Sequence, residues 1–204
     1  MRAFECATAA CALQIPGPRA HRPCRRRSAA LLLAAALLLG ACSPKYDWRE
    51  IRAPDAGWSA MLPGRQSVAE RDILLGELPV KMAMQGARVD ETSFAVGSAV
   101  LPDARPETRA RALAAMREAL VRNIGGSVTD SAEVTVPVVN ASGQRVGEAP
   151  GVQITASGQI RGKPATLAAR LVVRNARAVQ ALVVGPAVEG DAVDTFFDSL
   201  RVHD

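Results

Sequence analysis

Histidine and cysteine are scarce in this chain, and both are confined to its two ends. The 204 residues include two histidines, His21 and His203, and four cysteines, none of which follows Cys42. The part after Cys42 therefore has no disulfide and no cysteine-based metal site, and the ordinary ligands of zinc are missing. A Ser-His-Asp or Cys-His nucleophile needs a histidine inside the folded domain, whereas His203 stands beside the C-terminus. The sequence predicts no catalytic residue, no metal and no cofactor.

Aromatic residues are also few, at 3% of the chain, while 49% of residues are hydrophobic and 22% are charged. This balance is typical of a globular protein rather than a disordered one. With so few rings, the core must be built mainly from Val, Leu, Ile, Ala and Met.

An excess of one charge is missing from most of the chain, although the formal net charge is +5. Of 25 basic residues six precede Cys42, and of 20 acidic residues one does, so 19 of each follow. The part from Cys42 onward is therefore neutral. Nucleic-acid binding needs a basic footprint, so that function class is excluded for the domain.

The N-terminal segment has the pattern of a secretory signal. Arg25, Arg26 and Arg27 form a basic cluster, the uncharged apolar run 29–39 follows, and small residues come next. The run is shorter than the roughly 20 residues that a stable membrane-spanning helix needs. Basic cluster, short apolar run and small residues together predict export from the cytoplasm.

The end of this run, Leu39-Gly40-Ala41-Cys42, resembles the lipobox of bacterial lipoproteins. The resemblance implies that Leu39, Gly40 and Ala41 are recognised by the signal peptidase, and that Cys42 becomes lipidated and N-terminal after cleavage. Ser43 stands where an aspartate would mark inner-membrane retention, so we expect the outer membrane rather than the inner. An uncleaved signal anchor with an incidental cysteine is the alternative.

These features divide the chain into four parts. We expect residues 1–24 to be disordered and to precede the true translation start, because lipoprotein basic regions are usually short. Residues 25–41 are the expected signal peptide, 42–57 a lipidated tether, and 58–204 a single domain. In the tether, Tyr46 and Trp48 either rest at the membrane interface or pack onto the domain.

Periodicity predicts an α+β domain after the tether. Alternating or continuous apolar patterns indicate strands, at 58–62, 73–85, 92–101, 128–139, 152–161, 167–174 and 178–184. Helical spacing predicts one long central helix from about Pro106 to Asn123, stopped by Gly125-Gly126, and a C-terminal helix from an Asp191 N-cap to about Leu200. The segment 140–151 indicates a long mobile hairpin loop. We expect an antiparallel sheet with both helices packed on it, following the N-terminal signal helix.

Two short motifs add a family resemblance. Leu62-Pro63-Gly64 after the first strand and Phe196-Phe197-Asp198-Ser199-Leu200 near the C-terminus are similar to the secreted PsbP-like domains of bacteria. The resemblance implies an α–β–α sandwich and a protein that acts by binding. It carries over no catalytic residue.

Charged side chains offer the remaining candidate sites. Arginines on the 106–123 helix and the strip Arg170, Arg174 and Arg177 form either solvated faces or anion sites for lipid headgroups or an acidic partner. Carboxylates are numerous enough to permit a two-carboxylate hydrolase, and lie at Asp47, Asp55, Glu70, Asp72, Glu77, Asp90 and Glu91. We expect a non-enzymatic envelope lipoprotein that is anchored in the bilayer by acylated Cys42. We also expect it to bind a protein partner in the envelope. A carboxylate-dependent envelope hydrolase is the alternative.

Overall fold

The computed structural model describes residues 45–188 and 190–204. The expectations for Leu39, Gly40, Ala41, Cys42 and Ser43, and those for segments 1–24 and 25–41, lie outside the described residues. Neither helix in the described part is long and apolar enough to cross a membrane.

The described chain contains ten strands and two helices. The helices are α1 (Pro106–Asn123) and α2 (Gly190–Ser199). The strands are β1 (Trp48–Ala53), β2 (Trp58–Pro63), β3 (Gln66–Leu75), β4 (Leu78–Val89), β5 (Thr92–Val100), β6 (Ser127–Val139), β7 (Arg145–Ile160), β8 (Lys163–Arg174), β9 (Arg177–Gly185) and β10 (Arg201–His203).

All ten strands belong to one sheet, in the order β1-β2-β10-β6-β7-β8-β9-β5-β4-β3, which curls into a half-barrel. Neighbouring strands are antiparallel, except that the short β10 lies parallel to β6, with Val202 opposite Val138. The C-terminus thus closes the gap between the β1–β2 hairpin and the β6–β9 meander.

Tight hairpins make the long strands possible. Two-residue turns join β3 to β4, β4 to β5, β7 to β8 and β8 to β9. Each contains a residue with positive φ, at Gly76, Asp90, Arg161 and Asn175. Such turns match the right-handed twist of paired strands. Asp90 and Glu91 form the turn between β4 and β5.

The predicted α+β sandwich is wrong, and so is the PsbP-like α–β–α architecture. About 60% of the described residues are in strands and 18% in helices, so the molecule is mainly β. The helices are present near their predicted positions, but the sheet dominates because β6, β7 and β8 run for 12 to 16 residues. Alternation underestimated their length, since it fades where both faces of a strand are exposed.

Four local expectations are corrected as well. The loop predicted at 140–151 is a short turn, because Asn140 Oδ1 accepts the backbone N–H groups of Ser142 and Gln144 and β7 starts at Arg145. The strand predicted at 73–85 is two strands joined at Gly76-Glu77. The predicted tether contains β1, which pairs along its length with β2. Helix α2 begins one residue before its predicted cap.

Two separate apolar clusters lie on the two faces of the sheet. Helix α2 and all six described aromatic residues belong to the first cluster. Five of the six rings form a chain of contacts from Tyr46 through Trp48, Phe94 and Phe196 to Phe197, with centroids 5.5 to 6.0 Å apart. Tyr46 and Trp48 therefore pack onto the domain.

Helix α1 belongs to the second cluster, which holds no aromatic residue. Its buried residues Ala112, Met116 and Leu120 face the sheet. It ends where Gly125 takes a left-handed φ of +54°, a conformation that glycine adopts at little cost. The stop predicted at Gly125-Gly126 is confirmed.

Candidate functional site

An elongated groove runs beside α1, between the helix and the β6–β8 part of the sheet. One lobe of the groove has a volume of about 720 Å³. A second lobe of about 670 Å³ continues it, and the two share Ala110, Leu113 and Val152. We call both lobes together the α1 groove. The first lobe is additionally lined by Ala114, Arg117, Glu118, Val121, Arg122, Gly125, Gly126, Val128 and Leu171, and the second by Arg109, Glu133, Val134, Thr135, Pro150, Gly151 and Val173.

The groove exists because α1 covers only part of its face of the sheet. The helix packs mainly against β3, β7, β8 and β9. On its β6 side it presents the small, exposed side chains Ala110 and Ala114, which leave a gap over Val128 and Val152. Apolar side chains that no other element covers therefore line the floor and the helical wall. Volumes of this size fall within the range of small-molecule sites, about 300 to 1,000 Å³.

Arginines stand along the helical rim of the groove. Arg122 forms an ion pair with Glu118, at 2.9 Å between Nη1 and Oε1. Arg109 and Arg117 differ, because neither has a carboxylate of the described residues within ion-pair distance. Arg109, Arg117 and Arg122 line the groove, whereas Arg111 on the same helix lies away from it.

A second concave surface lies at the end of the sheet, between the β4–β5 and β7–β8 turns. It has a volume of about 460 Å³ and includes Arg88, Glu91, Arg161 and Lys163. Lys163 Nζ lies 3.9 Å from Glu91 Oε1, and Arg88 Nε donates to the carbonyl of Asp90. Most of its charged side chains therefore form ion pairs or hydrogen bonds within the turns, which makes the α1 groove the better candidate site.

The predicted carboxylate candidates do not converge on a cleft. Every described Asp and Glu is exposed except the half-buried Asp103, and no three described His, Cys, Asp or Glu side chains cluster. Several candidates pair with cations, as Asp47 does with Arg49 and Glu70 with Lys81. The described carboxylates thus lack the paired, enclosed arrangement that a carboxylate-dependent hydrolase requires.

Where a carboxylate has an altered pKa, the change is downward. A hydrogen bond from Arg52 lowers the pKa of Glu50. Arg105 does the same to the pKa of Asp103, whose Oδ2 lies 2.7 Å from its guanidinium. A general acid at neutral pH needs a raised pKa, so these two groups are surface ion pairs.

The predicted basic strip on β8 and β9 is a set of structural links. Arg170 donates to Gln153 Oε1 and to the carbonyl of Phe197, and its guanidinium lies 5.1 Å from the Phe197 ring centroid. Arg174 pairs with the carboxylate of Asp204, and Arg177 donates to a backbone carbonyl between β1 and β2. The strip joins the sheet to α2, to the C-terminus and to the first hairpin.

Sequence reasoning missed one polar pair, His203 and Ser59. His203 stands beside the C-terminus in the sequence, yet it lies on β10, and its Nε2 is 3.4 Å from Ser59 Oγ. Burial lowers the pKa of His203, and the nearby cations Arg177 and Arg52 lower it further. Ser59 is buried in β2, and the cavity beside His203, with a volume of about 10 Å³, is too small for a substrate. A three-residue strand has too short a pattern to be found from sequence.

No family model matches this chain, and no curated protein matches it. Among solved structures, PA94, a protein of unknown function from Pseudomonas aeruginosa, aligns with a TM-score of 0.34 and 14% identity over 68% of this chain and 82% of that one. The apo form of TplEi, an immunity protein of the T6SS of the same organism, aligns with a TM-score of 0.33 and 14% identity over 87% of this chain and 59% of that one. Likenesses this low carry no argument about function.

Proposed function

We propose that this protein is a non-enzymatic binding module, held to a membrane through Cys42, whose binding site is the α1 groove. The observation that carries the proposal is the groove itself, an elongated apolar surface left uncovered beside α1. Exposed apolar surface costs free energy in water, at about 25 cal/mol per Å². A monomeric protein that keeps a contiguous patch of this kind commonly uses it for binding.

The lipobox supports the membrane anchor. Cys42 precedes β1 by six residues, which span at most about 20 Å when extended. An acylated Cys42 would therefore keep the domain close to the bilayer surface. Ser43 at the following position favours the outer membrane.

The groove is tested by filling it. Ala110 is exposed and lines both lobes, so Ala110→Trp should block the groove without disturbing the core. Binding is followed by the fluorescence of N-phenyl-1-naphthylamine, an uncharged apolar probe, with the full chain carrying Cys42→Ser. We expect Ala110→Trp to reduce probe affinity at least about tenfold, the loss of about 1.4 kcal/mol of binding free energy.

The matched control is Ala69→Trp, which adds the same ring at an exposed alanine on β3. It should leave probe binding unchanged. Equal binding by the parent and Ala110→Trp would show that the probe binds elsewhere and would refute the groove as the site.

The anchor is tested separately by mass spectrometry. Globomycin, which inhibits the lipoprotein signal peptidase, should cause the precursor to accumulate. Without the drug, the product should carry a diacylglyceryl group on Cys42 and should fractionate with the outer membrane. Cys42→Ser should release the protein from the membrane; continued retention would contradict the lipid anchor and leave the groove result unaffected.

A further inference from the structure

We infer that the α1 groove takes a single-chain lipid with an anionic headgroup, which Arg109 and Arg117 bind at the rim. This inference rests on the proposed function, because it names the ligand class of the same groove. Its basis is the position of these two arginines beside an apolar floor.

Helical spacing places the two arginines on one line of α1. Arg109, Leu113 and Arg117 follow each other at intervals of four residues, so they share one face of the helix. All three line the groove. At 1.5 Å per residue, the two arginine Cα atoms are about 12 Å apart along the helix axis. Each lobe therefore includes Leu113 and one arginine without an ion pair, Arg117 in the first lobe and Arg109 in the second.

The charge of the rim selects the headgroup. Glu118 is paired with Arg122, while no described carboxylate lies within ion-pair distance of Arg109 or Arg117. A guanidinium beside apolar surface interacts with an anion more strongly than one in open water. Its planar N–H groups also match the oxygens of a phosphate. Glu133 also lines the second lobe, so the two lobes together are lined by three arginines and two glutamates, and their net charge of +1 favours an anionic ligand over a cationic one.

The shape of the groove selects the tail. From Arg109 to Gly125 the groove follows the helix for about 24 Å, and its two lobes are joined through Ala110, Leu113 and Val152. A partly apolar groove of this length accommodates one extended acyl chain. The half-buried side chains of Val128 and Val152 in the floor offer methyl groups to the chain.

The test compares lipids that share one chain and differ in headgroup. Myristoyl lysophosphatidylglycerol is anionic and monomyristoylglycerol is uncharged. Each is titrated below its critical micelle concentration into the full chain carrying Cys42→Ser, with displacement of N-phenyl-1-naphthylamine as the readout. We expect the anionic lipid to bind about tenfold more tightly, because a hydrogen bond to a charged group is stronger than one between neutral groups.

Charge-removing variants assign that preference to the rim. The double substitution Arg109→Gln and Arg117→Gln should lower the affinity for lysophosphatidylglycerol about tenfold and leave that for monomyristoylglycerol unchanged. Arg111→Gln removes a charge from the same helix outside the groove and should change neither affinity.

The outcomes separate the two proposals. Equal affinities for the two lipids, or a preference that survives the double substitution, would overturn the anionic headgroup while keeping the groove as an apolar site. If neither lipid displaces the probe, lipid is not the ligand. If the probe itself does not bind, the proposed function fails.

Discussion

The two faces of the sheet are closed in different ways. On one face the ten residues of α2 pack Phe196 and Phe197 against Phe94, so that a chain of aromatic rings fills the curve of the sheet. On the other face the 18 residues of α1 bring mostly small and aliphatic side chains, and a groove stays open beside the helix. The shorter helix covers its face more completely than the longer one.

The difference shows that side-chain volume, rather than helix length, decides how much of a sheet is covered. Aromatic side chains bury about 150 to 250 Å² each, and the domain places all of its described rings in the α2 cluster. The α1 face has none. We therefore assign stability mainly to the α2 face and binding to the α1 face, and substitutions on the two faces should have opposite signatures.

The largest expected effect comes from Phe196→Ala on the α2 face. Phe196 is fully buried, with its ring centroid 5.7 Å from that of Phe94. Its removal should lower the free energy of unfolding by about 3 to 5 kcal/mol. Urea denaturation followed by circular dichroism measures the loss.

Leu113→Ala on the α1 face is the matched comparison. Leu113 is only half-buried and lines the groove, so its truncation should cost less than about 2 kcal/mol while altering probe binding. If both substitutions cost the same, the division of labour between the two faces is wrong.

The junction between α1 and β6 provides the next test. A Cβ atom on Gly126 would lie 2.2 Å from the carbonyl oxygen of Ser157, so Gly126→Ala must push the end of α1 away from β7. We expect a loss of about 1 to 3 kcal/mol in the free energy of unfolding. Because Gly126 also lines the groove, probe affinity should change with stability.

Gly147→Ala is the control for this junction. Gly147 lies on β7, and an added Cβ there would meet nothing within 4 Å. It should change the free energy of unfolding by less than about 0.5 kcal/mol. A comparable loss in both variants would mean that the effect of Gly126→Ala is not steric.

A comparable loss is expected from Arg170→Ala, which removes the link between β8 and α2. The substitution leaves the carbonyl of Phe197 and the amide oxygen of Gln153 without their donor. Unpaired, partly buried acceptors cost about 1 to 3 kcal/mol, and thermal denaturation should show the loss. Arg145→Ala breaks an exposed ion pair with Glu148 and should cost no more than about 1 kcal/mol.

The two helices that cover the faces of the sheet could be predicted from the sequence. Helical spacing identifies the apolar side of a helix, and the residues Val193, Phe196, Phe197 and Leu200, which follow that spacing, are buried. The bounds of α1 follow in the same way from its periodicity and its glycine stop.

The groove could not be predicted, because it depends on which strands lie beneath α1. Leu113 continues the apolar stripe of Met116 and Leu120, and spacing alone assigns all three to the core. Whether such a residue is covered depends on the sheet order, which follows from long-range pairing such as that of β10 with β6. Helical periodicity in the sequence identifies the apolar face of a helix, but it does not identify the strands against which that face packs.

The edge strands were missed for a related reason. β3 is exposed along most of its length, so its sequence lacks the alternation that marks a strand with one buried face. Charged side chains at Glu70, Arg71 and Asp72 are also typical of edges protected against further pairing. The exposed, charged side chains that protect an edge strand against further pairing also remove the alternating pattern by which the strand could be predicted.

The smallest expected effect concerns His203, which lies on β10 next to the C-terminus. Burial lowers the pKa of His203, and Arg177 and Arg52 add to the change. Because the folded-state pKa lies below the unfolded value of about 6.5, the unfolded chain binds more protons in the interval between the two values. Stability is therefore complete above pH 6.5 and falls as the pH drops through the folded-state pKa.

The pH dependence of unfolding isolates this contribution. The free energy of unfolding, measured in urea between pH 8 and 5.5, should fall in the acidic half of the range for the parent chain. His203→Asn keeps a polar side chain near Ser59 Oγ but does not titrate, so its profile should be flatter. The carboxylates Glu50 and Asp103 have lowered pKa values, so their contributions change below this window. A parent and variant with parallel profiles would show that His203 is not held in its neutral form, and that the β10 strand closes the sheet without coupling to protonation.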